Sequence, residues 1–437
     1  VATGDVQYID PELGLTDLLE NNHGGLVGAT GGNVTDSRAT GNVASSNGRV
    51  GGLVGTVGLS ALGVNPNVSL SGVPTVDLSV VNSTAIGDVD GRSLVGGLVG
   101  GSDARSDTVT IDTSNATGQV NGTANIGGLI GRASGDSPTH ISNSWASGSV
   151  NATESGTTRA GGLVGAFFIG GNITASNASG TVSGNGNQSG GLVGFNKGGI
   201  ITDSTASGAV TGKNYTGGLV GEVDQSGSIS TSSASGTVKG TDNVGGLVGW
   251  TEGNVSTATA TGDVAGEAYT GGLVGYLKRG DTGNGQHYAI TDSTASGKTT
   301  GTDYVGGLLG GTGNVPPPVE SLPISIENST ATGDVVATGD DIGGLVGELD
   351  LDGDQVNNAT ATGDVTGGNK TGGILGAIVE GVTVSQSYAT GPVNGIDEVG
   401  GIVGYSEGSI NTSYATGATD GTGAVGGLVG TLTTTGS

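Results

Sequence analysis

The sequence predicts an all-β fold, a single-stack parallel β-solenoid of about fourteen rungs. Three observations predict it. A five-residue phrase, G-G-(Leu/Ile)-(Val/Ile/Leu)-G, recurs fourteen times, from Gly24 to Gly426. Its shortest spacings are 26–29 residues, a period that marks a stacked repeat. The runs between phrases are rich in Val, Thr and Ser, alternate with period 2 and end in Gly-rich corners, which favours strands and disfavours helix.

A second phrase alternates with the first. It reads Ser-x-Ala-(Ser/Thr)-Gly-x-Val, as in Ser37–Val43, Ser114–Val120 and Ser387–Val393. Its Ser, Ala, Gly and Val occupy alternate positions and so share one face, small enough to line a narrow coil. In G-G-L-V-G a regular strand would send Leu and Val to opposite faces. The expectation is Leu inward, with the glycines at a bend or in tight contact with the neighbouring rung, and Val exposed unless a glycine bulge re-aims it. A lone unit buries too few aliphatic side chains to offset the ordering of its backbone, so the units must stack.

Three segments follow from the repeat. Residues 1–23 read as a partial first rung plus an irregular insertion or cap, with a short helix at Leu15–Glu20. Residues 24–430 form the solenoid, and 431–437 form a Thr-rich tail or linker. Insertions after the glycine phrase, at 56–80, 101–111, 131–141, 276–290 and 310–326, place variable loops along one edge, where partner contact is expected. The chain opens inside one phrase, at Ala2-Thr3-Gly4-Asp5-Val6, and closes just after another. A piece cut or matured from a longer precursor would look like this.

Glycine accounts for 95 of 437 residues, and aromatics for only 3%. No Gly-X-Y period is present, which excludes collagen. The net charge is −26, from 27 Asp and 12 Glu against 13 Lys and Arg. That balance argues against nucleic acid and anionic membrane as partners. It fits a chain that stays soluble in very high salt, where screening removes self-repulsion. The other reading of the acids is divalent-cation binding at turns. Cys and Met are absent, no apolar run is long enough to span a membrane, and no signal peptide is present. A mature extracellular, cell-surface protein has these properties. Fifteen Asn-x-Ser/Thr sequons support export and make glycosylation an expectation, among them Asn33, Asn82, Asn115, Asn172, Asn254, Asn328, Asn358 and Asn411.

The phrase Gly-Leu-Val-Gly, repeated at just under thirty residues as Gly25-Leu26-Val27-Gly28, Gly52-Leu53-Val54-Gly55 and Gly246-Leu247-Val248-Gly249, resembles the GLUG motif (Gly-Leu-apolar-Gly). The resemblance covers nearly all of residues 24–430. It implies a stalk, filament or adhesive surface of the kind found in exported bacterial and archaeal adhesin-like proteins, with any peptidase activity residing elsewhere.

Chemistry-bearing residues are few. The three histidines, His23, His140 and His287, lie far apart in sequence, and nothing sets up a Ser-His-Asp or His-metal site. Asp340 with Asp341, or Asp350 with Asp352, could serve as paired carboxylates in a polysaccharide-active enzyme; scattered acidic turns explain them equally well. The one cofactor considered is calcium at Asp350, Asp352 and Asp354, around the Gly353 turn. Arg279-Gly280-Asp281 matches an adhesion tripeptide, and Pro316-Pro317-Pro318 reads as a stiff loop. Phe195, Trp250, Tyr276 and Tyr405 each follow the closing glycine of a phrase. In register they form an intermittent stripe for stacking carbohydrate or packing against another chain, or simply cover the corner of the coil. The expected function is a non-enzymatic adhesin shaft or self-assembling filament subunit. Its partners would be copies of itself or other surface proteins and glycans. The alternatives are a carbohydrate-binding module and a polysaccharide-active enzyme.

Overall fold

A computed structural model of the chain describes residues 1–8, 22–46, 48–58, 77–104, 108–168, 170–224, 227–280, 285, 287–313 and 321–433. The chain divides into two compact units, 1–212 with 219–221, and 213–218 with 222–437. It is all-β, and the described residues contain no helix. Each unit is a parallel β-solenoid. Every glycine phrase is followed by a strand opening on its fourth residue. Six lie in the first unit, from Val27–Thr30 to Val193–Lys197, and seven in the second, from Val248–Thr251 to Val429–Leu432; Val220–Asp224 is divided between them. The expectation of about fourteen rungs holds.

Register is exact in kind: equivalent residues pair. In the first unit Val43, Val89, Val120, Val150 and Val182 form one column, and Ala39, Ala85, Ala116 and Ala146 another. In the second, Ala260, Ala295, Ala331 and Ala361 repeat it. The inward face of the Ser-x-Ala phrase is as expected: Ser114, Ala116 and Val120 are all at most 1% exposed.

The glycine phrase departs from the expected alternation. In the inner rungs both its apolar residues are buried; Leu53 and Val54, like Leu98 and Val99, are 0% exposed, whereas Leu26 and Leu428 of the first and last copies are exposed. The chain bends at the second glycine and the leucine, so consecutive side chains enter the core from two sides of a corner. The Leu98 carbonyl accepts from both Leu53 N and Val54 N, each at 3.0 Å. The glycines are required by close approach, since Gly51 and Gly52 do not have positive φ. A Cβ on Gly51 would overlap the Val54 carbonyl; one on Gly52 would overlap the Gly97 carbonyl and press on Ala85 Cβ at 3.0 Å. The two phrases thus face each other across a core only Gly-to-Ala thick, which is why both are built of small residues.

At the opposite corner the residue before the serine is left-handed, at φ of 48–52° in both units, as in Asn82, Asn143, Asp292 and Asn328. Asn and Asp tolerate this conformation best. The serine that follows supplies an acceptor to a buried backbone amide. Ser83 N donates to Ser114 Oγ and Ser114 N to Ser144 Oγ, both at 3.1 Å; Ser293 N donates to Ser329 Oγ at 3.3 Å in the second unit. Each hydroxyl donates in turn to the carbonyl two residues back, as Ser114 does to Asp112. Some of the acid excess has a similar role. Asp88 Oδ1 accepts Gln119 N and Asp263 Oδ1 accepts Lys298 N, at 2.8 and 2.9 Å.

Val6–Tyr8 pairs with Val43–Ser45, and Asn22–Gly24 with Arg49–Gly51. The helix expected at Leu15–Glu20 lies outside the described residues, as do Pro316–Pro318 and much of the large insertions. Thr431 and Leu432, assigned to the tail by sequence, instead extend the last strand and pair with Tyr405 and Ser406.

Candidate contact surface

In the strand after each glycine phrase the second residue past the closing glycine returns to the core, as Leu277 and Leu349 do at 0% exposure. The residue before it, on the outer side of the strand, ranges from fully buried, as at Thr56 and Ala166, to half-buried, as at Trp250 and Tyr276. The outer positions form a column. In the first unit it runs Thr56, Gly101, Arg132, Ala166, Phe195. In the second it contains Trp250, Tyr276 and Gly311, and further along Glu348, Ala377 and Tyr405. The four aromatics expected as a stripe therefore share one rung position. They do not share one environment. Phe195 is only 5% exposed; Phe168 lies against it at 5.2 Å and the Arg159 guanidinium covers it at 4.7 Å. Trp250, Tyr276 and Tyr405 are half-buried.

A second aromatic column in the second unit was not anticipated. Tyr215, Tyr269 and Tyr304 each stand two residues before a glycine phrase, in the left-handed conformation at φ of 47°, 49° and 54°. That backbone brings their rings to the outer column. Tyr269 stacks on Tyr304 (4.7 Å between centroids, 7° between planes) and meets Tyr276 edge-on at 5.0 Å. Tyr215 meets Trp250 edge-on at 6.1 Å. Gly311 makes room for this cluster, since a Cβ there would lie 3.1 Å from Tyr269 Cδ1. The signal was in the sequence: Tyr recurs at one offset in Tyr-Thr-Gly-Gly (215 and 269) and Tyr-Val-Gly-Gly (304).

Charges frame the rings. Lys278 pairs with Glu252 and lies 5.7 Å from the Trp250 ring. Lys370 pairs with Asp341 at 3.4 Å and lies 5.6 Å from the Tyr405 ring. Burial, then the neighbouring Tyr269 and Asp350, push Tyr276 up to about 12. Burial, then Asp341 and Asp350, push Glu348 up to about 7.

A family model described as the GLUG motif matches residues 185–211, 212–239 and 301–336. The chain carries GLUG repeats. Halomucin of Haloquadratum walsbyi (strain DSM 16790 / HBSQ001) is 52% identical over 54 residues, which is 12% of this chain and 1% of halomucin. The chain thus covers about a hundredth of that relative's length. No solved structure matches.

The GLUG repeats do not hold the remaining candidate residues where the sequence suggests. Two of the three aspartates considered for calcium are turned onto a guanidinium. Arg279, with its side chain 0% exposed, donates from Nη1 to Asp354 at 2.7 Å and from Nη2 to Asp350. Nη2 also reaches Thr312 Oγ1 at 2.6 Å. The fully buried Asp354 accepts Ile324 N at 3.0 Å as well. Asp352 is exposed, beside Gly381. Among the described residues no group of three or more His, Cys, Asp or Glu is arranged to hold a metal. Arg279 of the Arg-Gly-Asp tripeptide is therefore a buried structural residue, and Asp281 lies outside the described residues. Of the named sequons, all but the half-buried Asn115 are exposed. They fall into different strand positions, taken up below.

Proposed function

We propose that this surface-type repeat protein is a non-enzymatic extracellular structural and adhesive solenoid, a shaft or self-associating filament subunit that makes contact through its variable outer column. The observation that carries this reading is the contrast within each rung. The glycine, leucine, valine and serine positions repeat, whereas the position after the closing glycine changes from Arg to Phe, Trp, Tyr or Glu. Half-buried aromatic clusters such as Trp250–Tyr215 and Tyr269–Tyr276–Tyr304 suit a contact surface. The partial similarity to halomucin and the charge of −26 support a protein working at the surface of a cell in high salt. Among the described residues no helix is long and apolar enough to cross a membrane.

Electron microscopy and sedimentation in molar salt test the self-association. Lateral or end-to-end assemblies are expected, weakened by Trp250→Ala with Tyr304→Ala. Chains that stay monomeric at every salt and protein concentration would refute it. A second reading, carbohydrate binding, is favoured by the Tyr269–Tyr304 stack, because flat aromatic faces suit pyranose rings. A glycan array probed in molar salt without a hit would remove it.

A further inference from the structure

The sequons sort by what each asparagine amide is already doing. Asn82, Asn328 and Asn358 occupy the left-handed corner, where the Asn and Asp side chains of successive rungs form a ladder. Asn82 Nδ2 donates to Asp36 Oδ1 at 2.6 Å. Asn328 Nδ2 donates to Asp292 Oδ1 at 3.2 Å, and Asn358 Nδ2 to Asn328 Oδ1 at 2.8 Å. A sugar on such a nitrogen would have to fit against a neighbouring rung only about 4.8 Å away. Asn33 and Asn254 differ. Each stands immediately before the strand leading to that corner, Val34–Thr35 or Val255–Ser256, and each is exposed. Their Oδ1 atoms accept backbone amides of the next rung, Ser79 N at 3.0 Å and Ala289 N at 2.9 Å. That bond fixes the amide plane. Among the described residues neither Nδ2 has a hydrogen-bond partner.

We infer that Asn33 and Asn254 are N-glycan attachment sites compatible with the folded rungs, and that the ladder asparagines Asn82, Asn328 and Asn358 stay unmodified. This rests on the extracellular reading. The donor is a glycosyl phosphate. Nδ2 forms a bond to the anomeric carbon and gives up one proton to base, while the carbon–oxygen bond to phosphate breaks and the phosphate leaves with the electron pair. At Asn33 and Asn254 the attached sugar sits in solvent and no hydrogen bond of the rung is lost. On the ladder Nδ2 already donates to the side chain of the neighbouring rung, and the sugar would crowd that contact.

The test is glycopeptide mass spectrometry on native protein released from the surface of its source cells. A glycan mass shift is expected on the peptides holding Asn33 and Asn254, with none on those holding Asn82, Asn328 and Asn358. Asn254→Gln should abolish only its own shift. Surface-derived protein bare at both sites, or carrying glycan on the ladder asparagines, would overturn the inference and leave the surface reading standing. Absence of the protein from the surface fraction would overturn that reading, and this one with it.

Discussion

The two units treat the entrance to the glycine phrase differently. In the first, the residue two before the glycines is extended and opens a strand, as in Arg49–Gly51, Leu94–Gly96 and Asn125–Gly127. In the second, the equivalent residues from Tyr215 and Asn243 to Lys370 and Glu398 are left-handed, and Ala424 before the last phrase is not. For a bulky residue that conformation costs about 1–2 kcal/mol, of which a stacked ring pair such as Tyr269–Tyr304 returns about 0.5–1.5 kcal/mol. The outer faces differ accordingly. The first unit has guanidinium groups packed on Phe168 and Phe195; the second has a tyrosine and tryptophan cluster edged with carboxylates. What the pair teaches is that the glycine, leucine and valine columns are the shared frame. The residue that enters the phrase is the adjustable joint, and it decides which side chains reach the surface.

That comparison can be broken most forcefully at the shared frame. Gly128→Ala in the first unit and Gly307→Ala in the second each drive a Cβ into the glycine carbonyl of the next rung, with Ala146 or Ala331 Cβ 2.9 Å away. Both should cost about 3 kcal/mol, the upper end of the usual overpacking penalty, in denaturant unfolding. If either unit tolerates the change, the frame is not shared. Arg279→Met sharpens the contrast, because the buried ion network belongs to the second unit alone. Leaving Asp354 buried and unpaired should cost about 3–5 kcal/mol, with faster hydrogen exchange confined to that unit. Adding Asp354→Leu should recover most of the loss. The smallest effect is a pH dependence at the carboxylate edge of the tyrosine cluster. Glu348 is raised from 4.5 to about 7 on folding, first by burial and then by Asp341 and Asp350. Its folded form holds the proton more tightly, so its stabilisation is complete below pH 4.5 and disappears as pH rises through about 7. Glu348→Gln should therefore have an unfolding midpoint that falls less than the wild type's over that range. An identical pH profile for both proteins would refute this assignment.

The fold was legible because the repeat is. Fourteen copies of one phrase fix the period, and alternation in Ser-x-Ala-x-Gly-x-Val fixes which residues face inward. Leu53 and Val54 were half-read: alternation forbids two neighbours from sharing a core, and only the bend at Gly52 admits both. The outer column was legible from Trp250, Tyr276 and Tyr405 at one offset. Burial of Phe195 was not, since it depends on Arg159 and Phe168 of other rungs. The burial of Arg279 was not legible, because its partners lie 71 and 75 residues away, beyond any local motif. The left-handed tyrosines violate residue preference, so propensity alone would have argued against them.

Ser114 and Ser144 exchange the same hydrogen bond, and Gly128 and Gly162 make the same close approach, as their counterparts do one rung along. A duplicated or deleted stretch of coding sequence of one period would bring its own donors, acceptors and gaps, and would meet a neighbour already shaped for it. Such a gene can change length by in-frame recombination in whole-rung steps without first evolving a new interface.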